Sequence, residues 1–267
     1  MTGLMNLSQI QNATGHLKKY KPLIRELVVR DLKVKYRRSF LGYLWSLLNP
    51  LLMMAVMLLV FNNIFRFDIL NYPLYLICGQ TLFNFFNEST TMAMYSVLGN
   101  ATLIKKIYVP KFIFPVSRIF SSFVTLSFSL MAILIVMLLT RNPLSVTILL
   151  VPLPLFFLFV FCCGMGLILA ALSVYFRDIT HLYGVITMAW MYATPIFYPM
   201  ESVDESIQAI IRLNPLYHYI NVFRNLVIYG NIPGPNAWFG CIASSVVAIV
   251  IGLLVFNKLQ KNFILHI

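Results

Sequence analysis

Six apolar stretches, separated by short polar segments, follow one another along the 267-residue chain. Each stretch reaches or approaches the roughly 20 residues that a helix needs to cross a hydrocarbon core about 30 Å thick. The pattern predicts an all-α integral membrane protein with six membrane-spanning helices. The predicted spans lie at about residues 44–65, 72–97, 115–139, 146–175, 182–199 and 237–257.

The distribution of cations predicts the orientation of these spans. Nine Lys and Arg residues lie between Lys18 and Arg38, and no charged residue follows from position 44 to position 61. Because cytoplasmic segments are enriched in Lys and Arg, we divide the chain into a cytoplasmic N-terminal segment (1–43) and a six-span domain (44–267) with both termini cytoplasmic. Of the 20 Lys and Arg residues, this topology leaves outside only Arg66, Arg141, Arg212 and Arg224.

Composition supports the membrane class, since 60% of the residues are apolar and only 10% are charged. The net charge of +12 comes from cations beside apolar spans, so we expect the cytoplasmic membrane as the location and no nucleic acid as a partner. Residues 1–22 lack the apolar core of a cleavable signal peptide. The four cysteines are isolated in apolar stretches, which predicts no metal site.

Two amphipathic segments lie outside the predicted spans. Residues 20–40 predict an interfacial helix with Leu23, Ile24, Leu27, Val28 and Val34 on one face, although Asp31, Lys35 and Arg38 interrupt it. A solvated charged helix is the alternative. Between spans five and six, the patterns 203–213 and 216–228 flank Asn214-Pro215, which predicts two short helices that dip into the outer leaflet or lie on it as a surface hairpin.

Span two carries a polar stripe at helical spacing. Carboxylate and amide groups are costly in hydrocarbon, so this face must contact protein or water. Two interpretations stay open. The stripe forms hydrogen bonds between helices, or it forms one wall of a polar path. The stripe consists of Gln80, Asn84, Asn87, Glu88, Thr91 and Tyr95, with Phe83 at its margin.

Aromatic residues, among them Trp190 and Tyr192, cluster near the outer end of span five. They predict either an ordinary interfacial belt or a surface on which sugar rings stack. The chain has no GxxxxGK[ST] phosphate loop and none of the common hydrolase motifs, so we expect a non-catalytic protein. The basic connection 98–118 predicts a short helix that contacts a soluble, energy-supplying partner.

Several motifs carry a family resemblance. R-S-F-L-G-Y-L-W-S-L-L-N-P (38–50), Gly166 followed by V-Y-F-R-D-I (174–179), T-P-I-F-Y-P (194–199), and N-P-L (214–216) with Arg224 occur in this order. Together they resemble the permease subunits of type-2 ABC exporters of lipid-linked polysaccharides such as O-antigen, teichoic acid, capsule and rhamnose-rich cell-wall polymers.

The resemblance implies a homodimer paired with two copies of an ATP-binding subunit, which binds ATP and Mg, whereas this chain holds no cofactor. It also implies a coupling helix between spans two and three and two outer gate helices. Carried onto this sequence, the coupling residues are Ile104, Lys105, Lys106, Tyr108, Val109 and Pro110, and the gate residues are Ile207, Ile211, Asn214, Pro215, Tyr219 and Arg224.

The resulting hypothesis is export of an undecaprenyl-linked cell-surface polysaccharide, with Arg37 and Arg38 at the entrance for the lipid head group. The alternatives are an ion-coupled carrier with Glu88 as its titrating group and a membrane enzyme that acts on polyprenyl lipids. The predicted substrate path consists of Tyr43, Trp45, Asn49, Phe83, Asn84, Asn87, Glu88, Trp190 and Tyr192.

Overall fold

The structure is a computed structural model that describes residues 7–35, 37, 39–64, 69–106 and 109–266. Every regular element within these residues is helical, which confirms the predicted all-α class. The α-helices are α1 (Leu7–Lys35), α2 (Trp45–Ile64), α3 (Tyr72–Met94), α4 (Ala101–Lys106), α5 (Ile113–Leu139), α6 (Pro152–Tyr175), α7 (Ile179–Tyr192), α8 (Glu205–Arg212), α9 (Pro215–Arg224), α10 (Pro235–Leu259) and α11 (Phe263–His266).

Four helical segments of the described chain are long and apolar enough to cross a membrane. They coincide with predicted spans one, three, four and six. Predicted span two corresponds to α3, which is long but polar, and span five to α7, whose 14 residues extend only about 21 Å. The count of six spans therefore stays a prediction. The four segments are Gly42–Phe61, Ile113–Leu139, Val146–Tyr175 and Pro235–His266.

Two predicted helices end earlier than expected. Span five was expected to be one helix to residue 199, but α7 ends at Tyr192 and residues 193–199 are not helical, while the extent of the span itself stays a prediction. Pro195 explains the end of α7, because a proline lacks the amide proton for the helical ladder and disfavours helical geometry in the residue before it. The interfacial helix was expected at 20–40, but α1 ends at Lys35, and Gly42 adopts a φ of +47° before α2 begins.

Helix α3 lies at the centre of the bundle, where it packs against α2, α5, α6 and α9. A second tight contact joins α6 to α10 through small residues. A Cβ atom added to Gly164 would lie 2.3 Å from the carbonyl carbon of Ala248, and one added to Gly252 would lie 2.4 Å from the carbonyl oxygen of Gly164. Only glycine permits this approach of the two backbones.

Helix α1 is attached to the bundle by a buried carboxylate. The Asp31 side chain is 2% exposed, and its Oδ1 lies 2.9 Å from Arg118 Nη1 on α5 and 3.2 Å from Arg30 Nη2. Arg30 also donates to Asn100 Oδ1, which lies just before α4. Asp31, one of the three residues that interrupt the apolar face in the sequence, is therefore an anchor of that helix.

Candidate functional site

A polar cavity of about 420 Å³ lies between α2, α3 and α5, with the end of α1 at its mouth. Apart from the ion pair described below, hydroxyl and amide groups supply most of its polar surface. Such groups are tolerated at membrane depth only where they face protein or water. The cavity is lined by Lys35, Trp45, Ser46, Asn49, Pro50, Thr81, Asn84, Phe85, Glu88, Ser122, Thr125, Leu126 and Ser129.

An ion pair closes one end of this cavity. Lys35 Nζ on α1 donates to Glu88 Oε1 on α3 at 2.6 Å, and the two side chains are 35% and 34% exposed. Ser122 Oγ approaches the same carboxylate oxygen at 3.5 Å. Since about a third of each charged side chain is exposed to solvent, the pair contributes little to stability and is easily exchanged for another partner.

The interior of the cavity reaches two helical turns beyond this pair, because Thr81 and Glu88 are seven residues, or about 10 Å, apart on α3. Asn49 and Asn84 are exposed there, and the Trp45 ring is half-exposed. Thr81 is buried, and its hydroxyl has no hydrogen-bond partner among the described residues. A buried unsatisfied hydroxyl costs about 1–3 kcal/mol, which a ligand or water in the cavity would recover.

The structure brings together four of the predicted path residues and separates the others. Tyr43 lies just before α2, with its ring 5.8 Å from that of Phe128. Phe83 is buried in the core, 6.0 Å from the ring of Phe86, and Asn87 accepts a bond from Thr91 at 3.4 Å. Those that line the cavity are Trp45, Asn49, Asn84 and Glu88.

Trp190 and Tyr192 lie in a different place, a more apolar cavity of about 470 Å³ beside α8 and α9. Trp190 Nε1 donates to Asn214 Oδ1 at 2.8 Å, and the Asn214 amide donates to Thr194 Oγ1 at 2.8 Å. Asn214 also caps α9 by accepting from the Leu216 amide at 3.0 Å. Trp190 therefore supports the break between α8 and α9, and its ring packs 5.1 Å from that of Phe86 on α3 without lining the polar cavity.

The predicted gate residues have different environments. Ile207 is exposed and, with Pro215 at the first turn of α9, borders the Trp190 cavity, while Ile211 is buried. Tyr219 is fully buried, and its hydroxyl donates to the Cys241 carbonyl oxygen at 3.0 Å on α10. Two short helices thus occur where the sequence places them, with Tyr219 as an attachment to the bundle. Their role as a gate stays a prediction.

Arg224 holds the end of α9 against α3 and the non-helical segment 193–199. Its buried guanidinium donates to the carbonyl oxygens of Tyr75 (3.0 and 3.2 Å), Pro195 (2.7 Å) and Ile196 (3.0 Å), and lies 3.4 Å from the Tyr75 ring centroid. Gly79 provides the space, since an added Cβ atom would lie 2.5 Å from Arg224 Nη2. Arg224 thereby supplies donors that the irregular backbone needs.

The predicted coupling segment includes the six-residue helix α4. Ile104 is buried in an apolar cluster with Leu27 of α1 and Phe114 of α5, whereas Lys105 and Lys106 are exposed at the end of the helix. Val109 and Pro110 are half-buried just before α5. A short helix with a buried anchor and an exposed cationic end is suited to contact with another protein.

Of the three remaining predicted residues, the structure describes only one. Arg37 is exposed in the turn after α1 and lies outside the lining of the polar cavity. Arg38 and Tyr108 lie outside the described residues.

The sequence reasoning missed Lys35 and the hydroxyl groups of α5. Ser122, Thr125 and Ser129 line the cavity at spacings of three and four residues. This spacing places them on one face of a helix, so the same argument that identified the stripe on span two would have found them. Lys35 carried no distinguishing signal within the basic N-terminal segment. In the described part of the chain, no three His, Cys, Asp or Glu side chains are grouped to hold a metal ion.

Comparison with known proteins gives matches over nearly the whole chain. The sequence profile described as ABC-2 type transporter matches residues 22–228. The chain is 31% identical to the O-antigen export system permease protein RfbA of Klebsiella pneumoniae, over 88% of this chain and 90% of that protein. It is 28% identical to RfbA of Myxococcus xanthus, over 92% and 96% of the two chains. It is 23% identical to the capsule polysaccharide export inner-membrane protein CtrC of Neisseria meningitidis serogroup B, over 90% and 92%.

Proposed function

Because the chain belongs to the ABC-2 type transporter family, we propose that it is the membrane-spanning subunit of an ATP-driven exporter. Its substrate is an undecaprenyl-linked cell-surface polysaccharide, which it moves across the cytoplasmic membrane. The similarity to O-antigen and capsule export proteins covers at least 88% of this chain in each case and supports a polysaccharide substrate.

The polar cavity between α2, α3 and α5 is the observation that carries this proposal. Its hydroxyl and amide side chains match the hydrogen-bonding groups of a sugar, and Trp45 offers an aromatic face to the C–H groups of a sugar ring. A hydrocarbon-only substrate would leave these groups unpaired. We assign the cavity to the substrate path, and we keep the sequence-based assignment of Arg37 and Arg38 to the entrance for the anionic lipid head group.

Energy comes from a separate subunit in this proposal. Two ATP-binding subunits, which hold ATP and Mg, press on α4 through its exposed Lys105 and Lys106. Ile104 transmits this movement, since it is buried in the cluster that also contains Leu27 of α1 and Phe114 of α5. The transporter is a homodimer in this proposal, and the exposed apolar residues of α2 and α7 offer one surface for the second copy.

The proposed topology has six spans, with α3 and α7 added to the four apolar ones and both termini in the cytoplasm. Polar α3 crosses the membrane without contacting much lipid because four other helices surround it. The short α7 is continued across the outer leaflet by the segment 193–199, whose backbone groups are bonded to Arg224 and to tyrosines of α3. Helices α8 and α9 form the outer gate.

Deletion of the gene in its host tests the function directly. We expect the loss of one surface polysaccharide and accumulation of its lipid-linked form inside the cell. Export should return when the wild-type chain is expressed in the deletion strain. It should not return when the ATP-binding subunit expressed with it lacks its catalytic residues. An ATP-binding subunit should co-purify in equal amount.

Two results would contradict the proposal. Export that persists without the ATPase but stops when the ion gradient is collapsed would indicate the ion-coupled carrier, and Glu88 would then be its candidate titrating group. Modification of a polyprenyl-linked substrate by the purified chain alone would indicate an enzyme.

A further inference from the structure

We infer that the polar cavity is a binding site within each subunit for a sugar ring that carries a phosphate group, and that Lys35 exchanges Glu88 for this phosphate. The inference rests on the proposed function and specifies where and how one subunit holds the head of its substrate. In this inference the Lys35–Glu88 ion pair, which the structure shows formed, is broken when the ligand binds.

The cavity has the size and chemistry of a ligand site. Its volume of about 420 Å³ lies within the range of small-molecule pockets. Trp45 forms one side and the Asn49 and Asn84 amides extend its polar lining, so a ring with an apolar face and hydroxyl groups at its edge meets complementary groups.

Thr81 supplies a further hydroxyl group to this site. Its side chain lines the cavity and is almost entirely buried, yet its hydroxyl has no hydrogen-bond partner among the described residues. By contrast, the hydroxyl of Thr125 in the same cavity bonds to the Ser121 carbonyl oxygen at 3.3 Å. The Thr81 hydroxyl itself is enclosed, so it can pair with a sugar hydroxyl once its side chain turns toward the cavity.

The mouth of the cavity provides the site for the anion. Lys35 Nζ is the cation of the cavity lining and is bonded to Glu88 Oε1 at 2.6 Å. Both side chains are about one third exposed, so solvent screens the pair and it is weak. A phosphate offers more negative charge and more acceptor oxygens than one carboxylate, and therefore displaces Glu88 from Lys35.

Removing the Glu88 charge should therefore strengthen binding of the anionic ligand, because the Glu88 carboxylate then no longer competes with the phosphate for Lys35. If Glu88 were only a structural part of the cavity wall, the same change would weaken binding or abolish it. This difference in sign makes Glu88→Gln the decisive variant.

The three tryptophans allow a direct measurement on the full-length chain in lipid nanodiscs. We would label the chain with 5-fluorotryptophan and follow the fluorine NMR signals, assigning that of Trp45 with Trp45→Phe. The probes are decyl diphosphate bearing one N-acetylglucosamine, decyl diphosphate, and decyl N-acetylglucosaminide. We expect the first probe to bind most tightly and to shift the Trp45 signal while those of Trp190 and Trp238 stay in place.

Matched variants test the individual contacts. Thr81→Val should weaken binding of both sugar-bearing probes about three- to tenfold, with Thr91→Val on the same helix as the control. Lys35→Met should abolish the preference for the diphosphate-bearing sugar, whereas Lys33→Met should not. Glu88→Gln should tighten binding of that probe about two- to fivefold.

The inference is overturned if the probe shifts Trp190 instead of Trp45, if Thr81→Val binds as the wild type does, or if Glu88→Gln weakens binding. These measurements need neither ATP nor export, so their failure leaves the gene-deletion result intact. Conversely, normal export in the deletion strain would refute the proposed function whatever the binding data show.

Discussion

Replacing Asp31 with alanine removes the carboxylate that attaches α1 to the bundle. Its Oδ1 faces Arg118 Nη1 at 2.9 Å and Arg30 Nη2 at 3.2 Å, and Ser121 Oγ lies 3.4 Å from Oδ2. The change therefore leaves the Arg118 guanidinium, which is only 23% exposed, without the anion it contacts.

The expected cost follows from these exposures. Removing one partner of a buried ion pair costs about 3–5 kcal/mol. Arg118 keeps part of its hydration, which reduces this figure, and the 45% exposed Arg30 contributes no more than about 1 kcal/mol. We expect Asp31→Ala to lower the free energy of unfolding by about 2–4 kcal/mol.

A double-mutant cycle with Arg118→Ala, measured by reversible unfolding of the chain in mixed micelles, isolates the pair. We expect a coupling energy of about 2 kcal/mol. Glu26→Ala removes an exposed acid from the same helix and serves as the control, with an expected change within about 0.5 kcal/mol. A coupling energy below about 0.5 kcal/mol would refute the anchoring role of Asp31.

Three further predictions concern packing and hydrogen bonding, and the same unfolding measurement checks them. Gly164→Ala should destabilise the chain by about 1–3 kcal/mol through collision with α10, whereas Gly184→Ala, with nothing within 4 Å, should be neutral or stabilising. Equal effects would contradict the close packing. Tyr219→Phe should cost about 1–2 kcal/mol and Tyr217→Phe less than half as much, since only the former hydroxyl bonds to α10. Arg224→Lys should destabilise strongly, because an ammonium group cannot reach all the carbonyl oxygens that the guanidinium contacts, and wild-type stability would exclude that role.

The sequence predicted those parts of the fold that depend on apolar length and on proline. Four spans follow from uninterrupted hydrophobic stretches, and the break before Pro215 separates α8 from α9 as expected. The end of α7 was misplaced because residues 193–199 are apolar enough to resemble a span, while Pro195 decides their conformation. Hydrophobicity alone carries no information about backbone geometry.

The candidate site was harder to predict because its contacts join distant parts of the chain. The polar stripe identified Asn84 and Glu88, but periodicity on one helix does not reveal that Lys35 lies opposite Glu88. Trp190 was grouped with these residues because it is aromatic and near a membrane surface, and the structure places it in a separate cavity bonded to Asn214. Such assignments require the packing of helices, which no local pattern contains.

The two ion pairs that join α1 to other helices differ in a way that bears on movement. Of the three ion pairs among the described residues, Asp31–Arg118 joins α1 to α5 at a buried carboxylate, and Lys35–Glu88 joins α1 to α3 at an exposed position. Breaking the first leaves a buried charge unpaired, whereas breaking the second only returns two accessible groups to water. The C-terminal end of α1 can therefore separate from α3 while Asp31 stays in place. Because Lys35 follows Asp31 by one helical turn, the buried ion pair that holds α1 lies directly beside the exposed pair that lines the polar cavity.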